Sequence, residues 1–255
     1  MKRFILILSL LVFCSILFFS CKKTPPTPLP KPEEPEYPCD LNLPNGCLGN
    51  WKYSYYPDFP NDTFIEPTGG FLSTLNELSI LPPQITLAPV KTVYKTSDNY
   101  VAPYAARLVS KKLVLTNTTE IFIPGLLGST NLDIPNQTIH IGKPYTEKPY
   151  SFQGYYKYFP VNGDSGLILA MLTKFNTALS KRDTIAYTKM IIKNTASSYT
   201  YFNLILNYWD ITSTPDSISV LMVSSGGINL QDLFHCYGQE GSTMFIDEIS
   251  YKMTP

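Results

Sequence analysis

The 255-residue chain has two histidines, two tryptophans and only 16% charged residues. The histidines, His140 and His235, stand apart, and there is no C-x-x-C pair, so no ligand set with the spacing of a zinc site is present. His235 adjoins Cys236, but neighbours on a strand point to opposite faces, which separates a thiol from its base. There is no G-x-S-x-G turn, no H-E-x-x-H pair and no glycine-rich phosphate loop; Gly69-Gly70 and Gly226-Gly227 read as turns. The 20 basic residues are matched by 20 acidic ones without a basic stripe, which excludes nucleic acid as a partner. No segment beyond about ten residues carries a helical stripe; Leu72 to Leu81 fits a strand or one short helix. Internal repeats are absent.

The N-terminus is an export signal. Lys2 and Arg3 precede an apolar stretch from Phe4 to Phe19, broken only by Ser9, Cys14 and Ser15, and small Ser20 ends it. The apolar run is about 16 residues, short of the ~20 that a membrane-spanning helix needs. Met1–Ser20 therefore reads as a signal peptide. Phe18-Phe19-Ser20-Cys21 resembles a bacterial lipobox, with Phe18 where leucine is usual. That resemblance implies acylation of Cys21, with the mature chain held to the outer membrane or cell surface. Each chain would contribute about 0.8 kcal/mol per buried methylene, so two make a stable anchor. Residues 21–38, rich in proline, form an extended tether that cannot bury a core.

Residues 39–255 are left to fold. Tyr (18) and Phe (14) are abundant while charge is sparse, a profile that suits half-buried strands. In Phe152 to Phe159, Phe152, Gly154, Tyr156 and Tyr158 share one face, and Gln153, Tyr155, Lys157 and Phe159 the other. Val161-Asn162-Gly163-Asp164 is a turn before the apolar run Gly166 to Leu172. Thr184 to Lys193 is β-branched. From Tyr199 to Tyr208, Phe202, Leu204, Leu206 and Tyr208 alternate with Tyr199, Tyr201, Asn203 and Asn207, with Ile205 as an interruption. Ile218, Val220 and Met222 point inward from Ser217 to Val223, and Met244 and Ile246 from Ser242 to Met253. Such period-2 runs between turn residues predict an all-β antiparallel sandwich. Export permits disulfides. Cys39 and Cys47 flank LNLPNG; they either pair with each other or Cys47 pairs with Cys236, and Cys39–Cys47 is the expected bond.

Ordered short motifs carry a family resemblance. Gly142-Lys143-Pro144-Tyr145 with Lys148-Pro149 resembles the G-R-P-F…R-P stretch of the PCMD ("putative carbohydrate metabolism domain") family of Bacteroidota lipoproteins, with Lys143 in place of Arg. Gln153 to Tyr158, Asn207-Tyr208, Pro215-Asp216, Ser224-Ser225, Gly241-Ser242 and Ile246 to Ile249 continue it. Pro67 to Phe71 is similar to its P-x-G-W segment, with Phe71 for Trp, and Ala105 to Leu108 to its A-A-x-L strand. The similarity runs from Trp51 to Met253. It implies a sandwich of jelly-roll type, like carbohydrate-binding modules. Ile246 to Ser250 also resembles the last strand of calcium-bearing sandwiches of that kind. On that reading Asp247 is one oxygen ligand of a structural Ca2+, with partners near Asn50, Asp58 or Glu66; otherwise it accepts backbone hydrogen bonds at a strand edge. No other cofactor is implied.

The expected function is non-catalytic glycan binding at the cell envelope. A carbohydrate-active hydrolase and an adhesive surface protein are the alternatives. A hydrolase would need two carboxylates across a cleft. Asp58, Asp62, Glu66, Asp210, Asp216, Glu240, Asp247 and Glu248 are candidates, but no spacing selects a pair. For glycan contact the outward face of the Tyr199–Tyr208 stretch is the choice: Tyr199, Tyr201, Asn203 and Asn207, joined by Tyr155 and Trp209. Aromatic rings can stack on the C–H faces of sugars while amides meet their hydroxyls.

Overall fold

The computed structural model describes residues 36–56, 59–76, 90–114, 120–133, 138–230 and 235–255. The signal peptide, Cys21, most of the tether and Asp58 lie outside the described residues.

The chain is built from antiparallel strands. β1 (Trp51–Tyr56) and β2 (Phe59–Pro67) form a hairpin, followed by β3 (Ser73–Thr74), β4 (Val93–Thr96) and β5 (Ala105–Val109). β6 (Lys111–Val114) with β7 (Glu120–Ile123), and β9 (Thr130–Asp133) with β10 (Thr138–Ile141), are hairpins either side of β8 (Leu126–Gly128). β11 (Lys143–Pro144), β12 (Ser151–Phe159), β13 (Gly166–Asn176), β14 (Lys181–Ile192), β15 (Ala196–Ile205), β16 (Asn207–Tyr208), β17 (Ser217–Val223) and β18 (Thr243–Lys252) complete it. One sheet runs β16-β14-β13-β17-β8-β3, with β11 also on β17; the other runs β15-β12-β18-β5-β4. The chain changes sheet between β12 and β13, returns between β14 and β15, crosses again between β15 and β16, and returns once more between β17 and β18. Paired strands thus wrap around the core together, the jelly-roll arrangement of a β-sandwich.

The core follows the alternation. Phe152, Tyr158, Phe202, Met244, Ile246 and Tyr251 of the five-stranded sheet meet Ile168, Ala170, Leu172, Ile218, Val220 and Met222 of the seven-stranded one. Each large side chain buried here is worth about 1.5–3 kcal/mol. Ser217–Val223 is buried along its whole length. Its other face, carrying Leu221 and Val223, packs with Leu75, Leu113, Ile123, Leu126 and Ile139 in a second cluster. Those residues come from around the small hairpins, so part of the seven-stranded sheet is covered on both sides.

Cys39 and Cys47 are joined, with Cα atoms 5.9 Å apart. The loop they close is part of the core rather than a collar ahead of it. Leu43 and Leu48 are wholly buried within the main cluster. Asn42 exchanges hydrogen bonds with the backbone of Tyr251, at 2.6 and 2.9 Å. Gly46 accepts the Ile249 N–H through its carbonyl at 2.8 Å. A Cβ on Gly46 would lie 2.1 Å from Ile249 O, so only glycine fits this approach. Cys236 is buried, and its Sγ accepts the Asn229 N–H at 3.3 Å.

One expectation is corrected. Tyr199–Tyr208 is not a single strand. β15 ends at Ile205, Leu206 donates its N–H to Tyr150 O (2.9 Å), and Asn207–Tyr208 pairs with β14 in the other sheet. Buried Leu206 is the crossing point: turning it into the core carries the chain from one layer to the next. Of the segment Leu72–Leu81, Ser73–Thr74 is strand, and everything from residue 77 onward lies outside the described residues.

Candidate functional site

The outer face of the five-stranded sheet carries aromatic and amide side chains. Antiparallel pairing sets Tyr201 opposite Tyr155, and Asn203 opposite Gln153. On its other side β12 sets Tyr155 opposite Asp247 and Gln153 opposite Ser250. Rows of side chains therefore run across three strands. Tyr155 and Tyr201 have ring centroids 5.4 Å apart. The Tyr201 hydroxyl donates to Gln153 Oε1 (2.8 Å), and Gln153 Nε2 donates to Ser250 Oγ (3.1 Å). Gln153 is thereby fixed, and Asn203 beside it is exposed.

A β-bulge shapes this face. The β12–β18 register shifts between Gln153 and Tyr155, leaving Glu248 with φ of 51°. Gly154 sits opposite the bulge because a Cβ there would meet Ile249 Cγ2 at 2.8 Å and Phe202 Cζ at 3.0 Å. Turned outward by the bulge, Asp247 is nonetheless fully buried. The loop after β4 covers it. Asp247 Oδ2 accepts the Tyr100 N–H at 2.7 Å, and Oδ1 accepts the Glu248 N–H at 2.9 Å. Burial, reinforced by the Glu248 charge, pushes the Asp247 carboxyl up to about 6, against the opposing pull of the backbone N–H groups. Burial also raises Glu248, opposed by the Ala102 N–H.

The loop brings Tyr100, which sequence reasoning had no means to find, onto the face. Its ring stacks on Tyr155 at 3.8 Å and lies 5.9 Å from Tyr199. The Tyr199 hydroxyl donates to Asp98 O at 2.7 Å, and Asp98 forms an ion pair with Lys157. Lys157 Nζ lies 4.5 Å from the Tyr199 ring centre. Burial, then the charges of Asp247 and Asp98, raises the Tyr199 hydroxyl. Tyr199 is thus built into the loop clamp, whereas Tyr201 and Tyr100 remain 51% and 45% exposed. The alternation of β12 already signalled Gln153 and Lys157 as partners of Tyr155.

Tyr155, Tyr199, Tyr201 and Asn203 come together as expected; Asn207 and Trp209 do not join them. Those two belong to the edge of the seven-stranded sheet, where Asn207 pairs with Tyr187 and Trp209 packs beside the same ring.

The carboxylates named as hydrolase candidates serve local structure wherever their contacts are described. Asp210 accepts Thr212 N, Thr212 Oγ1 and Ser213 N, and hydrogen bonding from Ser213 first and Thr212 next holds its carboxyl well below the usual range. Asp216 accepts Phe175 N and pairs with Arg182, and Glu66 accepts Thr74 N and its hydroxyl. Among the described residues no group of three or more His, Cys, Asp or Glu is placed to hold a metal. Of the residues offered as calcium partners of Asp247, Asn50 bonds Tyr37 (2.6 and 2.7 Å) and Glu66 bonds Thr74, while Asp58 lies outside the described residues. Asp247 itself accepts the backbone N–H groups of Tyr100 and Glu248. A cleft of about 450 Å³ beside the disulfide is lined by Tyr37, Asn45, Asn50 and Thr68, whose polar groups largely bond one another or nearby backbone.

No protein-family model matches the chain, and no curated protein does. The fold has solved counterparts. A crystal structure described as a putative glycoside hydrolase from Bacteroides thetaiotaomicron aligns with a TM-score of 0.56 at 16% identity, over 72% of this chain. This chain spans 63% of that one. A second, described in the same words and from Bacteroides vulgatus, aligns at 0.56 with 17% identity, covering 79% of this chain and 90% of its own. At such identity the likeness establishes the β-sandwich fold and nothing further.

Proposed function

We propose that this is a lipid-anchored envelope protein of the PCMD type that binds a glycan on the outer face of its five-stranded sheet. The observation that carries the reading is the Tyr155–Tyr201–Tyr100 ring group, flanked by Gln153 and Asn203, with Tyr201 and Tyr100 exposed on an ordered sheet. Aromatic rings exposed to water forgo the stabilisation that burial would bring. Rigid rings beside amides, that of Gln153 held in place, suit a ligand with apolar C–H faces and a rim of hydroxyls. The carboxylates nearest the face, Asp247 and Glu248, hold the backbone of the loop rather than an open cleft, which favours binding over hydrolysis. Acylation at Cys21 and the extended tether would hold the domain off the outer membrane.

A glycan array probed with the chain from Lys22, which lacks the anchor, identifies the ligand. Tyr201→Ala should then weaken binding about tenfold or more, with little change in melting temperature, because that ring is half exposed. Undiminished binding by Tyr201→Ala would put the site elsewhere, and a chain that binds no glycan would sink the reading.

A further inference from the structure

A second aromatic surface lies at the edge of the other sheet. Trp209 is 68% exposed. Its ring and that of Tyr187 are 6.3 Å apart at centres and only 26° from parallel. The indole is held out on a fixed backbone. Trp209 N and Asp210 N both donate to Ile185 O, at 2.9 and 3.2 Å. The Asp210 carboxylate closes the next turn through Thr212 and Ser213, and Lys148 Nζ donates to Ile211 O at 2.6 Å. Asn207 pairs directly with Tyr187, and Lys189 follows two residues on; both therefore share the face of the rings. Both are exposed, and their side chains hold no hydrogen bond among the described residues.

We propose that Trp209 and Tyr187 form a second glycan-binding platform, for two consecutive sugar rings of an extended, flat-ribbon chain such as a β-1,4-linked polysaccharide. The proposal rests on the glycan-binding reading given above and adds a separate site to it. Two rings 26° from parallel, with centres 6.3 Å apart, near the length of one sugar unit, suit a chain whose successive rings stay close to one plane. A helically coiled α-1,4 chain turns its second ring away. Asn207 and Lys189 sit where hydroxyls at the rim of such a chain would fall, and both retain free donors.

The tryptophan content makes the test direct. Trp51, the other tryptophan, donates its indole N–H to Leu48 O at 2.6 Å and packs against the core, so a ligand-dependent fluorescence change reports on Trp209. Cellohexaose, xylohexaose, mannohexaose and maltohexaose are titrated into the chain from Lys22, following emission, acrylamide quenching and heat of binding. At least one β-1,4 hexasaccharide is expected to shift emission to the blue and halve quenching, with maltohexaose inert. Tyr201→Ala should keep that optical change. Trp209→Ala should weaken binding about tenfold and Trp209→Phe should restore most of it. Heat of binding without any change in Trp209 emission or quenching overturns the second platform and leaves the first site standing. Absence of both heat and optical change for all four sugars overturns the platform, and an array without hits removes the glycan reading beneath it. A blue shift on phosphatidylglycerol vesicles with none on sugars, or concentration-dependent dimerisation abolished by Trp209→Ala, overturns the sugar assignment in favour of a membrane or self-contact.

Discussion

Asp247 gives the fold a pH dependence opposite to that of most carboxylates. Its side chain is fully buried, and its carboxyl is pushed from the ordinary 3.8 to about 6. An acid whose value is raised by folding binds its proton more tightly in the native state. Its contribution to stability is therefore fully present below pH 3.8 and is lost as pH rises through about 6. A shift of about two pH units corresponds to roughly 3 kcal/mol at most, at 1.36 kcal/mol per unit. Glu248, also raised by burial, acts in the same sense, whereas Asp210, held low by the hydrogen bonds of its turn, acts in the opposite one. The comparison that isolates Asp247 is therefore with Asp247→Asn. This variant cannot ionise, and its amide turns a donor toward the N–H groups of Tyr100 or Glu248, which costs about 1–3 kcal/mol for the displaced hydrogen bond. Urea midpoints for both proteins, measured between pH 3.5 and 7.5 with the disulfide intact, provide the assay. The advantage of wild type over Asp247→Asn should shrink by up to about 3 kcal/mol as pH rises from 4 to 7. Parallel stability curves would refute the argument, because they would mean that Asp247 has the same proton affinity folded and unfolded.

Gly154→Ala should lower the melting temperature by roughly 2–10 °C, since the new methyl is forced against Ile249 and Phe202 beneath the bulge; an unchanged melting curve would show that the sheet accommodates it freely. Replacing Cys39 and Cys47 together by alanine should cost about 2–3 kcal/mol in a urea titration, the chain-entropy value for so short a loop. Non-reducing peptide mapping that yielded a Cys47–Cys236 peptide would contradict the bond described. A fatty-acid probe should label the wild-type chain in cells and spare Cys21→Ala; equal labelling would remove the anchor from the proposal.

Much of the sandwich is legible in its alternation. Phe152, Tyr158 and Phe202 fall inward, and Tyr155 and Tyr201 outward, because a strand with one buried face has no other register that hides its apolar set. Ser217–Val223 shows the limit of the method. Ile218, Val220 and Met222 face the main core, but Leu221 and Val223 face a second one made by hairpins far away in sequence, so alternation alone would have put them in water. The Tyr199–Tyr208 stretch fails differently. Leu206 keeps the period of the pattern while the chain leaves one sheet for the other, so period-2 spacing survives a change of partner that pairing does not. Tyr100 is hidden for a third reason: its place on Tyr155 depends on a loop fixed by Asp247, some 147 residues away.

The unequal covering of the two sheets explains where the candidate surfaces lie. The small hairpins spend their apolar residues on the β17–β8 side of the seven-stranded sheet and stop before β14 and its short edge strand. Tyr187 and Trp209 begin where that cover ends. Among the described residues the five-stranded sheet has no second cluster on its outer face, and its cover there is the loop bearing Tyr100, tied down at Asp247. A sugar can meet Tyr201 and the outer side of Tyr100 with that loop in place, but it reaches the near face of Tyr155 only by displacing a ring already stacked at 3.8 Å. The bonds to Asp247 therefore set how much of the platform is open. Loosening them by substitution would alter the Tyr100–Tyr155 surface while leaving the Trp209 surface untouched.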